Sequence, residues 1–212
     1  MTNGHRGLAS PAFFHGAVEA AKRALRDEAR TRRAAAHARS GDGAALAVRD
    51  AFLDQVPVPA GAVVAGYSPI RDELDVMPLM ERLAAAHICA LPVVTAPATP
   101  LVFRRWRPGD ALERGQFGVA SPGASAPELR PDVLLVPMLA FDRFGRRMGY
   151  GAGFYDRTLA RLRSQGTVLA VGIAFAEQEV PSVPVDGHDQ ALDWIVTERG
   201  AFRPAGSLEN SG

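Results

Sequence analysis

The stretch that decides the fold is Val133-Leu134-Leu135-Val136-Pro137. An apolar run of this length is typical of a strand that is buried on both faces of a sheet. Strands of that kind belong to parallel sheets that are covered by helices on either side. A glycine-rich loop and a helical segment follow the run, so a strand, a loop and a helix succeed one another here.

Segments on both sides of this strand alternate between strand-like and helix-like patterns. Helices are predicted over residues 17–39, 44–55, 75–86 and 153–163, with a stop between the first two at Ser40-Gly41-Asp42-Gly43. Further strands are predicted over residues 62–67, 87–94, 101–105, 167–174 and 194–197. This alternation predicts an α/β fold with a mostly parallel sheet and helices on both faces, a Rossmann-like three-layer sandwich. One domain is expected over residues 17–200, with flexible ends at 1–16 and 203–212.

Composition narrows the class of protein. The chain has 212 residues, of which 47% are hydrophobic and 22% charged, and its net charge is +1. A near-neutral chain without interleaved basic and aromatic residues is not expected to bind nucleic acid. The apolar runs are too short to span a bilayer and no targeting segment is visible, so a cytoplasmic monomer without a membrane partner is predicted. The one cysteine, Cys89, lies in an apolar run and is interpreted as a buried strand residue rather than a nucleophile.

The loop after the strand carries the strongest functional pattern. Gly149, Gly151 and Gly153 stand at alternate positions just before a predicted helix. Glycine allows the backbone to curl and present consecutive N–H groups, and the amino end of a helix favours an anion. Arg146 and Arg147 could supply forked donors to phosphate oxygens. The spacing matches neither a Walker motif nor a dinucleotide-binding fingerprint, so the glycines alone are equally compatible with a flexible connection.

The longer segment around these glycines resembles the signature of one enzyme family. It reads Phe141-Asp142-Arg143-Phe144-Gly145-Arg146-Arg147-Met148-Gly149-Tyr150-Gly151-Ala152-Gly153-Phe154-Tyr155-Asp156-Arg157. It is similar to the signature of 5-formyltetrahydrofolate cyclo-ligases, in which an Arg and an apolar residue precede Gly-Tyr-Gly-x-Gly-Tyr-Tyr-Asp. Phe154 departs from it, since the family usually has Tyr there. Three other segments match in the same order, so that the resemblance covers residues 21–197: Ala21-Lys22-Arg23-Ala24-Leu25-Arg26, the acidic segment from Tyr67 to Asp75, and the segment from Val183 to Asp193.

The resemblance implies ATP-dependent cyclisation of 5-formyltetrahydrofolate to 5,10-methenyltetrahydrofolate, with ADP and phosphate as the other products. The formyl oxygen would attack the γ-phosphate of ATP, and N10 would then attack the formyl carbon and displace phosphate. Lys22 and Arg147 are the implied catalytic residues. The implied ATP-binding residues are Lys22, Arg26, Arg147, Met148, Gly149, Tyr150, Gly151, Ala152, Gly153, Phe154, Tyr155 and Asp156.

The folate side of the site follows from the same match. The residues assigned to it are Tyr67, Glu73, Trp106, Tyr150 and Tyr155. A carboxylate at Glu73 can accept hydrogen bonds from the N–H donors of a pterin, although Glu73 also suits the start of a helix, where Asp72 and Asp75 are interpreted as caps. Trp106 is interpreted as lining the pocket and Phe103 as part of the core.

Magnesium is the cofactor expected beside ATP. It prefers a few carboxylate oxygens together with phosphate and water. Asp156, one turn into the helix after the glycines, and Asp189 are its candidate ligands, although Asp189 also suits an ordinary turn.

Other interpretations stay open for the basic helix and for the function. Lys22 and Arg26 share one helix face, where the residue pattern alone favours a solvated basic face that also includes Arg33. Only the resemblance assigns Lys22 and Arg26 to the triphosphate. The rival functions are an ATP-using enzyme with another acceptor, against which Glu73 argues, and a non-catalytic paralogue, against which the presence of Arg147 argues.

Overall fold

The described part of the chain, residues 11–115 and 118–205 of the computed structural model, alternates strands and helices as predicted. Its strands are β1 (Val63–Ala65), β2 (Ile88–Val93), β3 (Val102–Trp106), β4 (Leu112–Arg114), β5 (Ala120–Pro122), β6 (Glu128–Leu129), β7 (Val133–Pro137), β8 (Ala140–Phe141), β9 (Arg147–Met148), β10 (Leu169–Ile173), β11 (Trp194–Thr197) and β12 (Gly200–Phe202). Its helices are α1 (Pro11–Gln55), α2 (Met77–Leu83), α3 (Phe154–Gln165) and a 3-10 turn at Ala176–Gln178.

One eight-stranded sheet organises the molecule, in the order β12-β11-β10-β7-β1-β2-β3-β6. The strands from β11 to β2 in this order are parallel, and antiparallel strands extend both edges. The predicted mostly parallel sheet is therefore confirmed. The deciding run Val133–Pro137 is the central strand β7, paired on both sides, which explains why it is apolar throughout. The short pairs β4–β5 and β8–β9 lie outside this sheet and were not predicted.

Helices cover both faces of the sheet, as the three-layer prediction requires. Leu135 points to one face, where it joins a cluster with Phe52 of α1 and Leu79 of α2. Leu134 points to the other face and joins a cluster with Leu159 of α3. Successive residues of a strand point to opposite faces, so one apolar strand serves both cores.

The first helix is broken where the sequence predicted a stop. Gly41 has φ 50 and ψ −156, which is not helical, so α1 consists of two helical segments on either side of it. The helix begins at Pro11, so residues 11–16 are helical and not the loose extension that was predicted. Proline is tolerated in the first turn because its missing N–H would have no helical partner there. The remaining predicted ends, residues 1–10 and 206–212, lie outside the described residues.

Cys89 is buried in β2, as predicted, and burial raises the pKa of its thiol to about 11. A thiol that is protonated at neutral pH is a poor nucleophile. Within residues 11–115 and 118–205 there is no helix with the length and hydropathy needed to cross a membrane.

Candidate active site

A cavity of about 1050 Å³ opens at the carboxyl ends of the parallel strands. The loops after β1, β2 and β7 form its walls, together with the start of α3 and the first part of α1. From β1 the chain continues to β2 on one side, and from the neighbouring strand β7 it continues to β10 on the other side. In α/β folds, ligands bind where the connections from two neighbouring strands diverge in this way. The ATP, folate and magnesium candidates from the sequence all line the cavity, with the exception of Trp106.

The glycine-rich loop enters the cavity in a conformation that two of its glycines make possible. Gly151 has φ 99 and Gly153 has φ 66, in the region that L residues with a side chain rarely adopt. A Cβ at Gly151 would lie 3.3 Å from Cζ of Arg26, so a larger residue there would also push the Arg26 side chain of α1 aside. α3 starts directly after Gly153 without a side-chain cap, which leaves its first N–H groups available to an anion.

A buried carboxylate sets the course of the chain into this loop. Asp142 is fully buried, and its Oδ1 accepts hydrogen bonds from the backbone N–H groups of Phe144 (2.9 Å) and Arg146 (3.2 Å). Its Oδ2 accepts a third from Val183 (2.9 Å). The resulting turn sends Arg146 outward, where its guanidinium lies over the ring of Phe144 at 5.3 Å. Arg146 does not line the cavity, so of the two adjacent arginines only Arg147 faces the site.

Lys22 is a buried cation that links α1 to the far wall of the cavity. Its Nζ lies 2.7 Å from Oδ2 of Asp186 and 2.7 Å from Oδ2 of Asp189. Burial lowers the pKa of Lys22, but the hydrogen bonds to the two carboxylates outweigh burial and raise it above the ordinary value. Lys22 is therefore a fixed positive charge at the cavity wall. Arg26, one turn further along α1, donates to the carbonyl of Gly149 at 3.3 Å.

Arg147 supplies the second buried cation of the site. Its Nη2 lies 2.6 Å from Oδ1 of Asp156, and its Nη1 donates to the carbonyl of Gln190. The same Asp156 oxygen accepts the backbone N–H of Gln190 at 3.0 Å. Burial lowers the pKa of Arg147 against the opposing effect of Asp156, yet a guanidinium stays charged at any physiological pH. Arg147 thus joins the glycine-rich loop, α3 and the loop before β11 at one point.

Another part of the cavity lining combines one buried carboxylate with aromatic rings. Glu73 is 5% exposed, and its Oε2 accepts the backbone N–H of Ile70 at 3.0 Å. Burial raises the pKa of Glu73 above its ordinary value. The chain has three tyrosines and all of them line the cavity: Tyr67, Tyr150 and Tyr155. Tyr67 donates its hydroxyl to the carbonyl of Leu74 at 2.7 Å, so the donor of this hydroxyl is already in use.

Comparison with known proteins decides the family. The model of the 5-formyltetrahydrofolate cyclo-ligase family matches residues 18–198. The chain belongs to this family. It is 35% identical to the 5-formyltetrahydrofolate cyclo-ligase of Escherichia coli (strain K12), over 66% of this chain and 80% of the relative. It is 34% identical to the enzyme of that name from Mycolicibacterium smegmatis, over 66% of this chain and 75% of the relative.

The fold is also that of a solved member of the cyclo-ligase family. The structure of Aquifex aeolicus 5,10-methenyltetrahydrofolate synthetase is similar with a TM-score of 0.72 and 27% identity, covering 90% of this chain and 95% of that one. The Rossmann-like sandwich predicted from the sequence is consistent with this match. The resemblance over residues 21–197 also agrees with the family match over residues 18–198.

Phe154, which departs from the cyclo-ligase signature, lines the cavity as a packed ring. Cζ of Arg157 lies 5.7 Å from the centre of the ring, and Phe154 starts helix α3. The position thus supplies an aromatic surface to the cavity, which Phe and Tyr provide equally.

Trp106 does not reach the cavity, so the structure gives no support to its predicted contact with folate. It is 4% exposed and belongs to the core cluster under α1 and α2. The reason is the direction of β3, which runs antiparallel to β2 and pairs Trp106 with Cys89. The end of β3 therefore lies at the amino ends of the parallel strands, away from the ligand edge. Phe103 is buried core, as predicted.

Two residues of the site were not recognised in the sequence as parts of it. Asp186 pairs with Lys22 but reads as one more acidic loop residue, and only the fold brings it to α1. Arg33 was assigned to a solvated basic face, yet it is 1% exposed and pairs with Asp72, which was interpreted as a helix cap. Asp75 does accept the N–H of Met77 at the start of α2, at 2.9 Å.

The carboxylates Asp156 and Asp189 that line the cavity do not form a preformed metal cage. Within the described residues no group of three or more His, Cys, Asp and Glu side chains could hold a metal ion by itself. Asp156 and Asp189 each use one oxygen in an ion pair, and their side chains are 28% and 24% exposed. Magnesium usually binds through one or two carboxylates plus phosphate and water, and this arrangement fits that mode of binding.

Proposed function

We propose that the chain converts 5-formyltetrahydrofolate and ATP to 5,10-methenyltetrahydrofolate, ADP and phosphate. The observation that carries the proposal is that one cavity joins a cationic glycine-rich wall to a wall of Glu73 and aromatic rings. Its volume of about 1050 Å³ lies at the upper end of the range of about 300–1000 Å³ that is usual for small-molecule sites, as a site for two substrates requires. The relatives named 5-formyltetrahydrofolate cyclo-ligase support the same reaction.

The glycine-rich wall suits the triphosphate of ATP. Lys22, Arg26 and Arg147 supply positive charge, and the backbone from Met148 to Asp156 supplies N–H groups beside the start of α3. Phosphoryl transfer depends mainly on position and on stabilisation of charge on the transferred group. Lys22 and Arg147 have the proposed catalytic roles because both are buried and held by carboxylates, so their charges need no rearrangement during the reaction.

The part of the lining formed by Glu73 and the tyrosine rings suits the folate. Glu73 is placed to accept N–H donors of the pterin, and the rings of Tyr67, Tyr150 and Tyr155 offer flat surfaces for its heterocycle. The proposed reaction requires that the formyl oxygen on N5 face the γ-phosphate. The oxygen attacks phosphorus and ADP leaves, N10 then attacks the formyl carbon and loses its proton, and phosphate departs from that carbon to leave the methenyl bridge.

We place magnesium at Asp156 and Asp189, where it would enter together with ATP. Each carboxylate has an oxygen that is not used in its ion pair, and both face the cavity. When bound there, the ion would neutralise charge on the phosphate oxygens. We also propose that the protein works as a cytoplasmic monomer. Light scattering that gave a mass of two chains would contradict the monomer.

The function has a direct assay. Purified protein with ATP, magnesium and 5-formyltetrahydrofolate should develop the near-ultraviolet absorbance of the methenyl product, and omission of ATP should abolish the change. Release of ADP without this absorbance would indicate another acceptor. Binding of the folate without release of ADP would indicate a non-catalytic protein, and either result would overturn the proposal.

Lys22→Met is expected to lower kcat/KM for ATP by about a hundredfold, because it removes a buried charge-assisted donor at the phosphate wall. Steady-state kinetics at varied ATP measure the effect, and a thermal melt reports how much protein remains folded. Arg23→Met is the matched control, since Arg23 is the exposed neighbour on the same helix. A folded Lys22→Met enzyme with unchanged ATP kinetics would exclude the assigned role.

A further inference from the structure

Arg33 is a buried cation that no step of the proposed reaction uses. Its side chain is 2% exposed, although it belongs to the highly charged helix α1. Burying a guanidinium is costly unless its donors are paired. The groups that pair with Arg33 indicate its role.

Two of the four partners of Arg33, Glu73 and Tyr150, line the cavity on the side proposed for the folate. Nε and Nη2 donate to the two oxygens of Asp72 at 3.1 and 2.9 Å, a forked pair that fixes the plane of the guanidinium. Nη2 also donates to the hydroxyl of Tyr150, and Nη1 lies 3.7 Å from Oε1 of Glu73. Nη1 donates as well to the carbonyl of Met138 at 3.4 Å, just after β7.

We infer that Arg33 is a positioning residue that holds Tyr150 and Glu73 in the geometry that folate requires. This inference rests on the proposed function. Tyr150 and Glu73 both line the cavity, whereas Arg33 lies behind them and does not. Without Arg33, the hydroxyl of Tyr150 loses its hydrogen bond to the guanidinium, and the adjacent Asp72 and Glu73 are left without the cation between them.

The inference separates the folate side from the ATP side. Lys22 and Arg26 on the same helix are held by other groups, namely Asp186, Asp189 and the carbonyl of Gly149. Among the hydrogen bonds of the described residues, Arg33 reaches the glycine-rich loop only through the hydroxyl of Tyr150. Loss of Arg33 should therefore weaken the use of folate much more than the use of ATP.

Arg33 also acts on the charge of Glu73. Burial raises the pKa of Glu73, while the positive charge of Arg33 lowers it. The ionisable groups that face Glu73 come from α1, from its own loop, from the glycine-rich loop, from α3 and from the end of β1: Arg33, Asp72, Tyr150, Tyr155 and Tyr67. Only the first of these is a cation, so its removal raises the pKa of Glu73 further. The ionised form that accepts N–H donors is then lost at a higher pH.

The test compares Arg33→Met with the wild type and with Arg30→Met, which removes an exposed arginine of the same helix paired with Asp27. We expect the KM for 5-formyltetrahydrofolate to rise about tenfold, as for the loss of a hydrogen bond to a charged group. The KM for ATP should change less than about twofold, and the acid limb of the pH profile should move to higher pH. Arg30→Met should match the wild type in all three.

Calorimetric titration of 5-formyltetrahydrofolate without ATP provides a readout independent of turnover, and the Kd should rise with the same factor. If Arg33→Met does not fold, Arg33→Lys and Tyr150→Phe take its place, since each breaks the contact with less disturbance, and both should shift folate use. Equal loss for both substrates, or a folded variant with an unchanged Kd and pH profile, would show that Arg33 merely supports the fold. The wild type could prove inactive and still bind folate more tightly than Arg33→Met does. That result would overturn the proposed function and leave this inference standing.

Discussion

Replacing Arg147 by alanine is expected to lower kcat/KM for ATP-dependent cyclisation by about a thousandfold, the upper range for the loss of one preorganised donor to a developing charge. Of the two adjacent arginines Arg146 and Arg147, only Arg147 faces the cavity. Its guanidinium is already held by Asp156 and the carbonyl of Gln190, so it meets the phosphate without reorganisation. Product absorbance at saturating folate and varied ATP measures the effect.

The same contacts give Arg147 a structural role that its sequence motif does not indicate. Its removal leaves Asp156 and the carbonyl of Gln190 without their buried partner, which should cost about 3 kcal/mol of stability. Activity must therefore be referred to the folded fraction, measured by circular dichroism at the assay temperature. Arg163→Ala is the matched control, since Arg163 bonds to the same Gln190 and to Asp193 but does not line the cavity. If the loss of activity in Arg147→Ala equals the loss of folded protein, the residue has no part in catalysis.

Asp142→Ala is expected to be the most destabilising single change near the site. It removes the acceptor of three backbone N–H groups in a fully buried position. At about 1–3 kcal/mol for each buried donor left unpaired, the free energy of unfolding should fall by at least about 3 kcal/mol. For a chain of this size that corresponds to a fall in Tm of roughly 10 °C.

Thermal unfolding with matched variants checks the role of Asp142. Asp142→Asn keeps one acceptor oxygen and should lie between the wild type and Asp142→Ala. Asp27→Ala, which removes an exposed carboxylate paired only with Arg30 of its own helix, should change the Tm little. A Tm for Asp142→Ala within a degree or two of the wild type would mean that water replaces the carboxylate, and that the turn into the glycine-rich loop does not depend on it.

Local patterns were sufficient for the helices and for the parallel strands of the central sheet. The apolar run at Val133–Pro137 is a central parallel strand, and the break at Gly41 lies within the predicted stop. These features depend on neighbouring residues alone, because burial on both faces and positive φ leave marks in a few consecutive positions. The short strands β8 and β9 escaped prediction because two residues carry no periodicity.

Local patterns do not reveal the direction of a strand or the partners of a charged side chain. Trp106 was assigned to the pocket without knowledge of the direction of its strand. The antiparallel pairing with β2 places it at the amino ends of the parallel strands, away from the cavity. Arg33 looked solvated because α1 is rich in basic residues between Lys22 and Arg39. Only the loop after β1 brings Asp72 and Glu73 against it. Asp186 pairs with Lys22 across 164 positions of the chain, a separation that no local pattern can encode.

The amino-acid sequence by itself therefore determined the strand–helix order, the glycine-rich loop and the family to which the chain belongs, since each is written in short runs of residues. The tertiary structure decided which charges are buried, which carboxylates hold Lys22, Arg33 and Arg147, and which aromatic residues face the ligand. The physical reason is that a buried charge is stable only beside its partner. Its place in the site thus depends on contacts between distant segments, which exist only once the sheet has assembled.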